Sequence, residues 1–583
     1  MNWKQKSVWL IVSLLVFYYF LVFGVFVFRY QEESQLFIPA LWNVSEQYLV
    51  PGGFIAFVGQ FLIQCYHLPM FSVLVNTALL ISVSAVIHRL LQEYNNYCYN
   101  FPLSLIPVCW LMNVGIRNNY LIDGNVALLL MLLSVIPLLY MKDRIMITLY
   151  SLFSTVLLFV LGGNIAIYYS IFLSVYSITL HAKSNLRFYP LASLFPALIV
   201  LLFPVELGLY APFTEAFKPE EYLEIQLLPD YYINYAWMIF CVILLVVVFI
   251  SFALSFLNSK TKKDIASVLC FGALFFTLSC NMPDNTDKQN RMLNELSFLS
   301  DEEQWDAIIN KYKNRNINDY ISLNYLNMAL AKKGMLAENM FAFDQKGPKS
   351  LVAPWNRTLY MDNLLCDIHF MTGDLAMSES YALDAMTQSK RGGNTRALRR
   401  LVQINLLRGE YALAGKYIAL LEQMPFYKEW ADEYSGYLYE PERMFDNLEL
   451  KGKIVPPDSL DNLMSLMTTE KLWNVHTAEN RIGWEYLGCY YLLDKNLGKF
   501  NSYIEESGVE HLPRHFQEAL LIEGSDSVSN KLVSDKTRQR FESFRKVMVH
   551  FSKNNGDVSA IYNEFGDTYW FYYYFKIFKN KGK

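Results

Sequence analysis

Residues 260–292 read KTKKDIASVLCFGALFFTLSC then NMPDNTDKQNRM, and the change of character at Cys280/Asn281 decides the fold. Ahead of it a basic turn leads into a continuous apolar run. Behind it charged and amide side chains recur. Working outward, nine apolar stretches fill residues 1–280, and none follows in residues 281–583. The two halves therefore have different solvents. The first must satisfy its backbone inside a bilayer, and the second reads as a soluble helical protein. The chain-wide figures, 53% hydrophobic and 16% aromatic, average over a very apolar half and an ordinary one.

A span needs about 20 apolar residues to cross roughly 30 Å of hydrocarbon. Stretches of that kind lie near 8–28, 70–91, 101–116, 124–141, 145–162, 164–182, 188–205, 234–257 and 264–280, the third and ninth being short. Lys4/Lys6, His88/Arg89, Lys142/Arg144, Lys183/Arg187 and Lys260/Lys262/Lys263 fall at every second turn, whereas the intervening loops hold Arg29, Arg117 and Lys218. The excess of positive charge on cytoplasmic turns puts the N-terminus in the cytoplasm and residues 281–583 outside it. The first outer loop, about 30–69, contains Phe54–His67, too short to span and too apolar for free solvent, which predicts an interfacial or re-entrant helix.

A net charge of -4 gives no case for nucleic acid as a partner. The eight cysteines form no CxxC and no Cys/His ligand spacing, which argues against structural zinc and iron–sulfur clusters. A disulfide between Cys366 and Cys489 stays open, since their separation says nothing about geometry. No P-loop, GxGxxG, HExxH or GxSxG occurs.

In the second half, Trp484-Glu-Tyr-Leu-Gly-Cys-Tyr-Tyr491 places Trp484, Leu487 and Tyr491 on one helix face, with Gly488 admitting a neighbouring helix. Gly334, Gly373 and Gly409 stand near a 34-residue period, each before a helix-like run. These residues resemble the tetratricopeptide repeat, whose concave faces bind peptides or partner domains. The aromatic tail Tyr569–Phe575, followed by Lys576, Lys579, Lys581 and Lys583, reads either as a last packing helix or as a bilayer-surface contact. The expected fold class is all-α: a polytopic membrane bundle of about nine spans (1–280), then a tetratricopeptide-like α-solenoid (281–583).

Glu32, Glu33 and Asp123 sit near span ends on the outer side, where an ionised carboxylate is costly without a partner. They are the candidate catalytic residues, as general base on an acceptor hydroxyl, and Glu33 with Asp123 is the candidate site for a divalent cation, Mg or Mn. Arg117 and Asn119, on the second outer turn, are the candidate substrate-binding residues, Arg117 through bidentate contact with a phosphate. Each also has a plain reading as a solvated loop group.

This layout resembles the C-type (GT-C) membrane glycosyltransferases. Those enzymes have acids soon after the first span, a first outer loop with helices along the membrane, often a further acid in the second outer loop, and, in one branch, tetratricopeptide repeats outside. Here Glu-Glu stands where the family commonly has Asp. The resemblance implies transfer of a sugar from a polyprenyl-phosphate donor on the outer face. The alternative is a membrane-anchored scaffold whose repeat domain binds envelope proteins. The texture also resembles multispan proteins of bacterial cell envelopes, which implies the bacterial inner membrane as location.

Overall fold

The computed structural model describes residues 3–39, 48–181, 185–199, 235–313, 317, 319–389, 392–447, 449–450, 480–523, 532–554 and 558–576. Among these residues every regular segment is a helix and there is no β-strand. The chain divides into two units, Met1–Met292 and Leu293–Lys583. The sequence places the break after Cys280; the division falls inside the helix Asn285–Asp301.

The first unit contains α1 (Trp3–Phe23), α2 (Val25–Glu33), α3 (Gly53–Gln64), α4 (Pro69–Gln92), α5 (Asn100–Gly115), α6 (Asp123–Leu133), α7 (Arg144–Gly162), α8 (Ile165–Leu180), α9 (Ala236–Ser255) and α10 (Lys260–Cys280). Among the described residues six segments are long and apolar enough to cross a membrane: Lys6–Phe23, Pro69–Gln92, Ile122–Leu139, Arg144–Gly162, Ala236–Ser255 and Lys260–Cys280. Of the other three expected spans, two correspond to shorter apolar helices, Asn100–Gly115 and Ile165–Leu180; the third is described only as Leu186–Ile199, residues 200–205 lying outside the described residues. Sixteen residues of α5 rise about 24 Å, less than the roughly 30 Å of hydrocarbon. The ninth stretch looks short only because its first turn is basic; the helix begins at Lys260.

Packing inside this unit is apolar, and its outward faces are too. Leu80, Val83, Leu111, Leu128, Phe172 and Leu244 are fully buried. Leu10, Leu14, Phe153, Val268 and Phe275 are exposed, as lipid-facing positions of a bundle should be. Helix α3 packs on α2, α6 and α7. Its Ile55, Gly59, Gln60, Ile63 and Gln64 point inward, while Phe54 and Phe61 are exposed.

In the second unit one turn recurs. The helix ends at 299–303, 330–334, 369–373, 405–409 and 491–495 each close with a backbone N–H reaching a carbonyl five residues back: Gln304 to Leu299 (2.8 Å), Met335 to Leu330 (2.8 Å), Asp374 to His369 (2.9 Å), Glu410 to Asn405 (2.8 Å) and Asn496 to Tyr491 (3.0 Å). This Schellman closure needs a left-handed residue just before the donor. Glycine supplies it at Gly334, Gly373 and Gly409; Glu303 and Lys495 supply it with φ of 51° and 58°. A new helix starts at once after each turn, capped by Asp374 and Asn496 in two cases. The resulting neighbours pack as pairs, Leu359–Thr372 on Leu375–Gln388, Thr395–Leu407 on Tyr411–Glu422 and Arg481–Leu493 on Leu497–Ser507.

Trp484, Leu487 and Tyr491 are buried together, and Gly488 faces the Phe516 ring, where a Cβ would collide. An ion-pair clamp joins these helices: Arg396 and Arg400 both hold Asp367, the latter at 2.8 Å, and Arg399 grips both oxygens of Asp301 at 2.8 Å. Burial pushes the Asp367 carboxyl up, but the two guanidinium groups outweigh it and hold the group below its usual range. Cys366 and Cys489 are both free thiols, and both are buried. In the tail Tyr569–Phe575, the first four residues are buried and Tyr574 is exposed. Lys183, Lys218, Lys579, Lys581 and Lys583 lie outside the described residues.

Candidate functional site

Among the described residues, the buried charged groups of the first unit, Arg29, Glu32, Glu33, Asp123 and Asp287, belong to one end of the bundle. Helices α1 and α2 together run about 46 Å, longer than the hydrocarbon, so the last turns of α2 emerge at its boundary. Those turns carry Arg29, Gln31, Glu32 and Glu33, all buried. Arg29 donates from Nη1 to Glu32 (3.2 Å) and from Nε to Glu33 (3.1 Å), a fork that i, i+3 and i, i+4 spacing makes possible on one helix. Its Nη1 also contacts Nδ1 of His67, which lies 3.9 Å from the Glu32 carboxylate. His67 belongs to the short turn Cys65–His67 that reverses the chain between α3 and α4.

Three glutamines tie the end of α2 and α3 to their neighbours, and a fourth stands apart. The Gln31 amide donates to the carbonyls of Arg117 (3.1 Å) and Tyr120 (2.7 Å), fixing the turn between α5 and α6. Gln35 donates to the Gln60 carbonyl (3.2 Å), and the Gln60 side-chain oxygen accepts from Tyr48 (2.6 Å). Gln64 is 3% exposed, and neither its Nε2 nor its Oε1 has a hydrogen-bond partner among the described residues. An amide in that state is costly to bury.

Asp123 opens α6 and is buried. It lies directly against α3: a Cβ on Gly59 would come within 2.5 Å of Asp123 Cβ. Next to it Tyr120 donates to Asn125 (2.9 Å), and Asn76 donates to Tyr66 (2.7 Å). Arg117 is half-buried, with an ion pair to Asp287 at 3.8 Å. Asn119 is half-buried on the same turn.

Of the residues singled out from sequence, Glu32 and Glu33 therefore share one guanidinium, Asp123 packs on α3 at Gly59, and Arg117 and Asn119 stand on the turn that Gln31 holds. The sequence reading missed Arg29, His67, Gln60, Gln64 and Gly59. The Arg29/Glu32/Glu33 spacing was the available signal; the glutamine contacts are long-range and leave none. As donors for a divalent cation these groups fit poorly. The Arg29 guanidinium already occupies both glutamates, and among the described residues no group of three or more His, Cys, Asp and Glu side chains is placed to hold a metal ion.

Six membrane-length helices and a buried charged cluster define an integral membrane protein of the polytopic α-helical class. Residues 1–576 match the model of a family of unknown function, DUF6057, and the chain belongs to that family. No curated protein and no solved structure matches it.

Proposed function

We propose that the outer end of the bundle is a catalytic site of GT-C-like type, transferring a sugar from a polyprenyl-phosphate donor to an acceptor outside the cytoplasm. The observation that carries this is the burial of Arg29, Glu32, Glu33 and Asp123 at span ends. Ionised groups so placed are expensive and mark function by default. Glu33 or Asp123 acts as base on the acceptor hydroxyl, Arg117 with Asn119 meets the donor phosphate, and the Gln64 amide meets a sugar hydroxyl. The base chemistry needs a carboxylate and no metal.

The orientation is part of the same reading. The basic turns meet one another: Arg89 donates to Tyr140 (3.5 Å), and Tyr97 donates to Asp264 (2.5 Å) while Lys263 sits over its ring. At the other end Asn113 donates to the Asn281 carbonyl (3.0 Å) and Arg117 pairs with Asp287. This supports a cytoplasmic basic end and an exit of the chain at the acidic, outer end, in the inner membrane of a bacterium.

A second reading is a scaffold, and the recurring turn of the second unit favours it. Helical pairs closed by one repeated turn fit a tetratricopeptide-like solenoid that binds envelope proteins. Complementation of a deletion strain separates the two. The transferase reading expects Glu33→Gln and Asp123→Asn to insert normally and fail to complement. Full complementation by both, with failure only on removal of residues 293–583, would leave the scaffold.

A further inference from the structure

The opposite end of the bundle holds a cleft that the proposed transfer does not use. It encloses about 820 Å³ and is lined by Val8 and Trp9 of α1, Ile81, Ala85, His88, Arg89 and Gln92 of α4, Asn96–Cys98, Phe101 of α5 and Phe271 of α10. That volume lies within the roughly 300–1,000 Å³ range of ligand sites. Its polarity is graded. Val8, Ile81, Ala85 and Phe271 line one part, and Arg89, Gln92, Asn96 and Tyr97 line the other. From Ile81 to Gln92 the helix rises about 16 Å, close to the roughly 15 Å of one leaflet. Val8 and Phe271 are 42% and 49% exposed, so the apolar part opens on the bilayer side of α1 and α10.

The wall between the parts is aromatic. Trp9 meets Phe101 edge-on at 5.2 Å and His88 at 5.8 Å. At the polar end Gln92 contacts His88 (3.1 Å) and donates to Asn96 (3.4 Å). Arg89 pairs through Nη1 with Glu93 (2.5 Å) and donates from Nη2 to Tyr140 (3.5 Å), and a guanidinium with five N–H donors has others to offer a second anion. Lys263, over the Tyr97 ring, adds a positive charge, and Asp264, bonded to Tyr97, offsets it. The mouth is thus built for a phosphate with donors around it, not for a strongly charged polyanion.

We propose that this cleft binds one membrane glycerophospholipid, its phosphodiester at Arg89 with the Asn96 amide, which Gln92 orients, and one acyl chain along Ile81, Ala85, Val8 and Phe271. Both halves of the cleft are needed: a soluble phosphate lacks the chain and a diacylglycerol lacks the phosphate. The proposal does not rest on the transferase reading.

The test uses full-length protein in non-ionic detergent, with adducts measured by native mass spectrometry. The probes are dioleoylphosphatidylglycerol, dioleoylglycerol and inorganic phosphate. The phospholipid should be retained as a single adduct, and dioleoylglycerol about tenfold more weakly, the value of one charge-assisted contact. Millimolar phosphate should not displace the lipid. Arg89→Gln should bring phospholipid retention down to that of dioleoylglycerol. Ala85→Trp, which fills the apolar part, should remove both. Equal retention of the two lipids, displacement by phosphate alone, or an Arg89→Gln variant that binds as the parent does would each overturn the proposal. The Arg89→Gln arm decides the matter where Ala85→Trp lowers the yield of folded protein.

Discussion

Gly59 shows how one residue positions the site. Its missing side chain lets the start of α6 lie against α3, with Asp123 in contact. Gly59→Ala should push Asp123 away at an overpacking cost of about 1–3 kcal/mol. The check is a lowered apparent Tm of the purified protein together with weakened complementation. A variant as stable and active as the parent would show that α3 yields freely. Asp362 offers a test in pH. It is fully buried, accepts from Trp355 Nε1 at 2.6 Å, and its other oxygen has no partner among the described residues. Burial, opposed by the Trp355 hydrogen bond, pushes its pKa up from 3.8 to about 6. The folded state thus binds the proton more tightly than the unfolded chain. Its stabilising contribution is complete below 3.8 and is lost as pH rises through about 6. Asp362→Asn should therefore raise stability at neutral pH by about 1–3 kcal/mol and flatten the dependence across that window. Thermal melts at both ends of the window check the sign; a variant less stable at neutral pH would contradict it.

At the scale of elements, the Schellman turns make unequal predictions from equal geometry. Glu303 and Lys495 both hold the left-handed conformation that glycine takes in the other three turns. Glu303 has one long ion pair, to Lys332 at 3.9 Å, so Glu303→Gly should stabilise the fold by about 0.5–1 kcal/mol. Lys495 instead donates from Nζ to the carbonyls of Tyr573 (2.7 Å) and Lys576 (2.5 Å). Lys495→Gly should therefore destabilise, loosening the terminal aromatic helix, and paired thermal melts separate the two outcomes. Trp484→Ala should cost about 3–5 kcal/mol as a large aromatic is deleted from a packed core. Elements were legible from sequence where one period governs them. The face of Trp484, Leu487 and Tyr491 was readable, and so were the turn glycines. Glu303 and Lys495 were not, because nothing in their chemistry announces a positive φ. The helix that Gly488 admits was not readable either; it carries Phe516, and that pairing is set by tertiary packing.

At the scale of the whole molecule, the apolar runs gave away the helical membrane half, because the hydrocarbon thickness sets a length that a sequence must meet. The finer count was not legible, since α5 and α8 are apolar yet shorter than that length. The acids near the span ends were visible as chemistry, but their burial was not. It arises from α2 continuing to Glu33 and from glutamines on three segments meeting across the fold. The central claim is that this buried cluster acts on a substrate and is not a structural ion pair. Removing only the cation, Arg29→Met, should destabilise by about 3–5 kcal/mol, as expected for two buried carboxylates deprived of their guanidinium. The neutral triple variant Arg29→Met/Glu32→Gln/Glu33→Gln removes all three charges together, and a purely structural cluster tolerates that exchange. The most direct measurement is complementation by this triple variant, with its membrane level and apparent Tm determined alongside. The proposed site predicts a protein that inserts and melts like the parent and fails to complement; full complementation at normal levels would contradict it.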